Sequence, residues 1–177
     1  MKKINNKGIC YWITGLSGSG KTTISKELIT LIKKNHKNVV LLDGDNLRNI
    51  FKNNNFNKSE RLNLSYQYAE MANFLVDQGI HVVAAVMALF SEIHLWNRKN
   101  ISNYVEVFLD VPLSELQRRD PKGLYKKYFL GEIKNMSGLD LKAEYPINPD
   151  YHFKWEKNIN SRKIIETLFE DFQERVN

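Results

Sequence analysis

Eight consecutive residues, Gly15-Leu16-Ser17-Gly18-Ser19-Gly20-Lys21-Thr22, carry the spacing G-x-x-x-x-G-K-T. That is the pattern of a phosphate-binding loop, and each residue type in it has a physical task. Gly15, Gly18 and Gly20, with Ser17 and Ser19 among them, let the backbone wrap closely enough for several amide N–H groups to meet phosphate oxygens. A helix opening near Lys21 adds the positive end of its dipole. Lys21 is then expected to reach the β- and γ-phosphates of ATP, the Thr22 hydroxyl to ligate Mg²⁺, and Thr23 to lie beside the nucleotide. A chance glycine-rich turn is the competing account. The complete match in a strand–loop–helix setting argues against it.

A second constellation follows at Asp43-Gly44-Asp45-Asn46-Leu47-Arg48. Two carboxylates one residue apart can divide labour, one holding Mg²⁺ or its water and the other taking a proton from a substrate hydroxyl. Arg48 could hold a substrate phosphate with its planar fork. The same residues also suit a simple capped turn, since Asp and Asn favour helix N-caps and Gly favours turns. Their place at the carboxyl edge of a strand, where open parallel sheets bind ligands, favours chemistry.

The elements that must position these groups are legible as alternating patterns. Ile9 to Thr14 reads as a buried strand leading into the loop. From Lys21 to Lys34, the apolar residues Ile24, Leu28, Ile29, Leu31 and Ile32 fall at helical spacing. Val39 to Leu42 is a second strand, ending at Asp43, and Ser59 to Asp77 a helix punctuated by Gly79. Ile80 to Val86 and Val105 to Leu109 are further strands. Tyr151-His152-Phe153 is a short fifth, ahead of a helix from about Asn160 to Val176. Strands alternating with helices imply right-handed crossovers and a parallel sheet covered on both faces. The fold expected is a three-layer α/β P-loop kinase domain with a five-stranded parallel sheet, occupying residues 1–177 as one domain.

Bulk properties bound the rest. The 177 residues suffice for one substantial core, and the net charge of +6 points to anionic partners. Charge alone does not separate nucleic acid from phosphorylated metabolites. Cys10 is the single cysteine, so no internal disulfide can form, in keeping with a reducing compartment. The basic start, Met1 to Lys7, is not followed by an apolar signal core, and no run approaches the roughly 18 apolar residues of a membrane span. A soluble, cytoplasmic protein is expected. His36, His81, His94 and His152 are scattered without metal-ligand spacing, and Cys10 and the three tryptophans read as packing residues.

The chain resembles the adenylyl-sulfate (APS) kinase family. The resemblance is carried by the P-loop, by Leu42 to Arg48, by Arg119-Asp120-Pro121-Lys122-Gly123-Leu124-Tyr125-Lys126-Lys127 and by Gly131-Glu132-Ile133-Lys134. It implies transfer of the γ-phosphoryl of ATP to a ribose 3′-hydroxyl. It also implies that Asp45 orients or deprotonates that hydroxyl, with Lys21 and Asp43 beside it and Asp43 supporting Mg²⁺ together with Thr22. Arg48 and Arg61 resemble substrate-anion contacts, and Phe56 an aromatic that stacks on the substrate base. Residues 118–140 resemble a mobile lid, with Arg118 and Arg119 on the nucleotide side and Lys122, Tyr125 and Lys134 on the substrate side. The lid is basic, and Gly123, Gly131 and Gly138 are possible hinges. Its closure would exclude water. The family commonly forms homodimers, which the resemblance extends to this chain; no nucleic acid and no membrane are expected as partners.

Departures from the family pattern fall on the acceptor side. After Glu60-Arg61 the family usually carries two adjacent arginines, whereas Leu62 to Gln67 contains none. Met136 stands where the family commonly has a Phe, and Val86 to Ser91 lacks the family's Ser and Arg. A stacked base or a charged contact contributes on the order of 1–3 kcal/mol, so several such losses together could change the acceptor. Tyr66, Arg98 or Lys99 could instead take over. The pattern, including Glu92 to Arg98, resembles a divergent branch tied to bacterial capsule pathways, whose members phosphorylate cytidine diphosphoramidate. Two other functions are kept open: phosphorylation of a non-nucleotide metabolite, and a non-catalytic protein using its basic surface for nucleic acid. The Lys-Gly-Leu-Tyr-Lys-Lys stretch argues against the first, and the intact Lys21, Thr22, Asp43 and Asp45 against the second.

Overall fold

A strand that is buried along its whole length must have both faces covered, and Cys10–Thr14 (β1) is such a strand. The computed structural model describes residues 7–53, 55–156 and 160–176; the basic stretch ahead of Lys7 lies outside them. With β1 run Val39–Asp43 (β2), His81–Ala85 (β3), Tyr104–Asp110 (β4) and Tyr151–Lys154 (β5), all parallel in the order β2-β3-β1-β4-β5. Tyr11 and Ile13 point to one face, where they join Val83, Val105 and Val107 beneath Lys21–Ile32 (α1) and Ser161–Val176 (α7). Cys10 and Trp12 point to the other, with Val82, Ala84 and Tyr104 beneath Lys58–Asp77 (α3) and Ser91–Asn100 (α4). These are the three layers expected. Leu28 on α1 is fully buried, and truncating it to Ala would cost about 2–5 kcal/mol.

All five expected strands form, with ends shifted by a residue or two, as do the three long helices. Four helices were not read from the sequence: Gly44–Ile50 (α2), α4, Leu113–Arg119 (α5) and Leu124–Phe129 (α6). Each is ten residues or fewer, too short for a clear apolar period. Two of them bear on the site. Helix α2 begins inside the acidic turn, and α6 sits within the span read as a lid.

A third apolar cluster of Leu16, Leu89, Leu116, Tyr125 and Met136 joins the phosphate loop, the β3–α4 loop and the lid. Gly138 has φ 86°, and a Cβ there would lie 2.9 Å from a methyl of Leu16. Only glycine lets the lid backbone lie so close to the loop.

Candidate active site

The phosphate loop leaves β1 pressed against β4. Gly15 adopts φ 152°, and a Cβ on it would come within 2.7 Å of the Leu109 carbonyl oxygen. At its far end Gly20 is the N-cap of α1 with φ 97°, and no side chain caps that helix. The first-turn amides of α1 are therefore left to an external acceptor, and phosphate oxygens are the natural one. Lys21 folds back over the loop, its Nζ donating to the carbonyls of Gly15 and Leu16 at 2.8 Å each. Burial and the nearby Lys122 cation push the Lys21 ammonium down to about 7, while Asp45 and Asp43 pull it up.

Asp43 caps the acidic turn and also faces the phosphate loop. Its Oδ1 accepts the amides of Asp45 and Asn46 at 3.1 and 3.2 Å, capping α2. Its Oδ2 accepts the Thr22 hydroxyl at 3.0 Å. The capped turn thus fixes Asp43 against the loop, and the helix it starts carries Asp45 and Arg48 on its first two turns. Asp45 itself is 69% exposed and ion-paired with Lys122 of the lid. Lys122, read as a substrate contact, is held by that carboxylate.

Arg48 and Arg61 converge on Phe56, their guanidinium carbons 4.5 and 5.2 Å from the ring centre. Both cations rest on neutral acceptors. Arg48 donates to the carbonyls of Asn53 and Asn55, and Arg61 to those of Phe56 and, across the cleft, Asn135. Burial and the neighbouring Arg48 hold the Arg61 guanidinium down to about 10, with Asp140 opposing. Among the described residues no carboxylate is paired with either, and two such neighbouring cations form a place for an anion. Phe56, read as a base-stacking ring, is engaged by these arginines.

The lid residues divide. Tyr125, read as a substrate contact, is buried and donates its hydroxyl to the Ser17 carbonyl at 3.0 Å, so it anchors the lid to the phosphate loop. Met136 is likewise buried in the cluster that includes Leu16. Arg118 points outward, held by Glu115 at 2.7 Å. Arg119 shares Glu115 but lies over the Trp155 ring, 4.2 Å from its centre. Lys134 is exposed. Between the loop and Trp155 opens a cleft of about 290 Å³, whose walls include Ser19, Gly20, Thr23, Arg119 and Phe153.

The adenylylsulphate kinase family model matches residues 7–154. The chain belongs to that family. It is 39% identical over 143 residues to the cytidine diphosphoramidate kinase of Campylobacter jejuni, covering 81% of this chain and 84% of that protein. It is 40% identical over 142 residues to the adenylyl-sulfate kinase of Pseudomonas aeruginosa, covering 78% and 72%. Its fold superposes on the APS kinase of Mycobacterium tuberculosis in complex with AMPPNP and APS with a TM-score of 0.85, at 31% identity and with 94% and 98% of the two chains covered. The protein is an APS kinase-like nucleotide kinase that uses ATP and phosphorylates a hydroxyl group.

Sequence reasoning missed two features of this kinase. Trp155 was read as packing, yet it lines the cleft beside Thr23. Its signal was positional: β5 pairs with β4, which pairs with β1, so the residue just past β5 emerges near the loop just past β1. The second is a buried polar network around Glu106, which is 3% exposed. Glu106 takes Arg98 at 3.1 Å and the Tyr104 hydroxyl at 2.9 Å, and lies 2.8 Å from His94 Nδ1; Arg98 also reaches Asp150 at 2.8 Å. Of the residues named as replacements for the missing arginines, Arg98 is paired with Glu106 and Asp150, Tyr66 meets Glu92 at 3.2 Å, and Lys99 is exposed. No trio of His, Cys, Asp or Glu suited to a metal occurs among the described residues, and none of the described helices is long and apolar enough to cross a membrane.

Proposed function

We propose that this kinase transfers the γ-phosphoryl of MgATP in line to the ribose 3′-hydroxyl of cytidine diphosphoramidate. The donor half rests on the phosphate loop. In it the first-turn amides of α1 and the Lys21 ammonium hold the β- and γ-phosphates, and the cleft beside Arg119 and Trp155 takes the adenine. Thr22 and Asp43 fit Mg²⁺: they bring two hard oxygens within 3.0 Å of each other, and this ion completes its shell with water and phosphate oxygens. Bound there, Mg²⁺ would neutralise charge on the transferring group. Asp45 orients the hydroxyl and takes its proton, Arg48 and Arg61 hold the acceptor's anionic end, and Arg119 lends positive charge from the lid, while Arg118, read with it, points outward.

The observation that carries the acceptor is the content of the segment after Arg61. Between Leu62 and Gln67 there is no arginine; Leu64 and Ser65 are buried, and Tyr66 turns to Glu92. The anion site is left to one pair of guanidiniums on Phe56. The Campylobacter jejuni relative, similar along most of both chains, supports the same acceptor. A second reading, adenylyl sulfate giving 3′-phosphoadenylyl sulfate, draws support from the Pseudomonas aeruginosa relative. The test is ADP release with each nucleotide at matched low concentration. Turnover of the cytidine compound with a much lower KM is expected; efficient use of adenylyl sulfate alone would overturn it. A cytoplasmic homodimer completes the proposal, and light scattering showing a monomer at micromolar concentration would remove that part.

A further inference from the structure

We propose that Lys122 is a positioning residue that occupies the Asp45 carboxylate until an anchored acceptor displaces it, so that water does not take the phosphoryl group. The proposal rests on the reading of Asp45 as the group that receives the hydroxyl proton. The two side chains stand 77 residues apart in sequence, one on α2 and one on the turn between α5 and α6, and they meet across the cleft.

The turn that carries Lys122 is braced from both sides. Asp120 and Gly123 both have positive φ, 25° and 64°, and the Gly123 amide donates to the Asp120 carbonyl at 3.0 Å. The Asp120 carboxylate then accepts the amides of Tyr125 and Lys126 at 3.1 and 2.9 Å, starting α6. Against the phosphate loop, Pro121 lies 3.5 Å from where a Cβ of Gly18 would be, and Tyr125 is tied to Ser17. Lys122 is thus presented from a fixed frame rather than from a loose chain.

Chemistry supplies the reason for such a contact. Asp45 is open to solvent, and a solvated carboxylate beside a bound γ-phosphoryl serves water as well as it serves a ribose hydroxyl. In hydrolysis the water oxygen forms the new bond to phosphorus. The bond between phosphorus and the β–γ bridging oxygen breaks, ADP leaves with the electron pair, and the water proton passes to Asp45. An ammonium seated on the carboxylate fills the place that water would need. An exposed ion pair is weak, so a nucleotide already anchored by Arg48 and Arg61 can displace it with part of its binding energy. Water has no such anchor. Seated on Asp45, the Lys122 ammonium already lies close enough to the phosphate loop to lower Lys21.

Two measurements test this. The first compares acceptor-free ADP release with phosphoryl transfer in wild type, K122A, K122R and the double variant K122A/D45N, using whichever nucleotide turns over. K122A is expected to raise the ratio of hydrolysis to transfer by about twofold to fivefold, K122R to restore it, and the double variant to lose the excess hydrolysis. An unchanged ratio, with both rates falling together, would overturn the proposal and leave Lys122 a simple substrate contact. The second follows tryptic cleavage after Lys126 and Lys127. It is expected to quicken by about twofold to fivefold in D45N, because the lid loses its hold on α2; equal cleavage would remove the restraint. If wild type transfers to neither nucleotide, the proposed acceptor fails, while acceptor-free hydrolysis and proteolysis still decide the role of Lys122.

Discussion

On the side of the cleft proposed for the donor, the groups available to phosphate are set by one local backbone unit, with Lys21 held by carbonyls of its own loop. On the proposed acceptor side, by contrast, the charged side chains are held in part by partners on separate elements, Asp45 by Lys122 and Arg61 by the Asn135 carbonyl. Gly15, Gly20 and Lys21 owe their placement to one continuous strand–loop–helix unit. Asp45, Arg48 and Arg61 depend on α2, α3 and contacts to Lys122 and Asn135 that cross the cleft. The difference teaches where specificity can change. A local backbone device tolerates little substitution, because its geometry is the function. A set of side-chain contacts between separate elements can be rebuilt residue by residue.

The sharpest way to break this contrast is at the donor. Lys21→Met should lower kcat by about a hundredfold to a thousandfold with any acceptor, in steady-state assays of a protein whose circular dichroism is unchanged. A smaller loss confined to one nucleotide would mean that the two sides are not independent. Asp45→Asn comes next, with kcat down about a hundredfold or more while ATP affinity, read by calorimetry, stays near wild type. For Arg61→Ala the expected change is a rise in acceptor KM of about tenfold, with the KM for ATP barely moved.

Two smaller tests sharpen the comparison through stability. Glu106→Gln removes the buried carboxylate that Arg98 and the Tyr104 hydroxyl meet, and thermal unfolding should shift down by on the order of 10 °C, with kinetics per folded molecule preserved. The least effect belongs to Glu115 on the donor side. Hydrogen bonds from Arg118 and Arg119 hold its carboxyl at about 2, below the ordinary 4.5. Because the folded value is the lower one, its stabilisation is present above about pH 4.5 and is lost as pH falls toward 2. Urea midpoints of wild type and Glu115→Gln should therefore converge at the acid end.

The legibility of the site followed the same divide. The phosphate loop was readable from eight letters because its glycines and the Lys21 contacts that close over it lie within those eight residues. The acidic turn was readable in its residues but offered two roles; Asp43 caps α2 with one carboxylate oxygen and meets the Thr22 hydroxyl with the other. The lid was readable as a basic, glycine-punctuated stretch. Nothing in its letters said that Tyr125 and Met136 would turn inward onto Leu16 and Ser17 rather than toward a substrate. The Glu106 network left no signal, since Glu106 sits in a strand otherwise buried and its partners lie on α4 and in the stretch before β5.

By itself the sequence determined the P-loop, the alternation that makes a parallel α/β sheet, the burial of Cys10 and the family. These depend on backbone conformation and periodicity, which near neighbours dictate. Tertiary structure alone decided that Lys122 meets Asp45, that Arg48 and Arg61 share Phe56, and that Trp155 flanks the cleft beside the phosphate loop. Each of these joins elements distant in the chain, and the strand order that brings them together is set by how both faces of the sheet are buried at once.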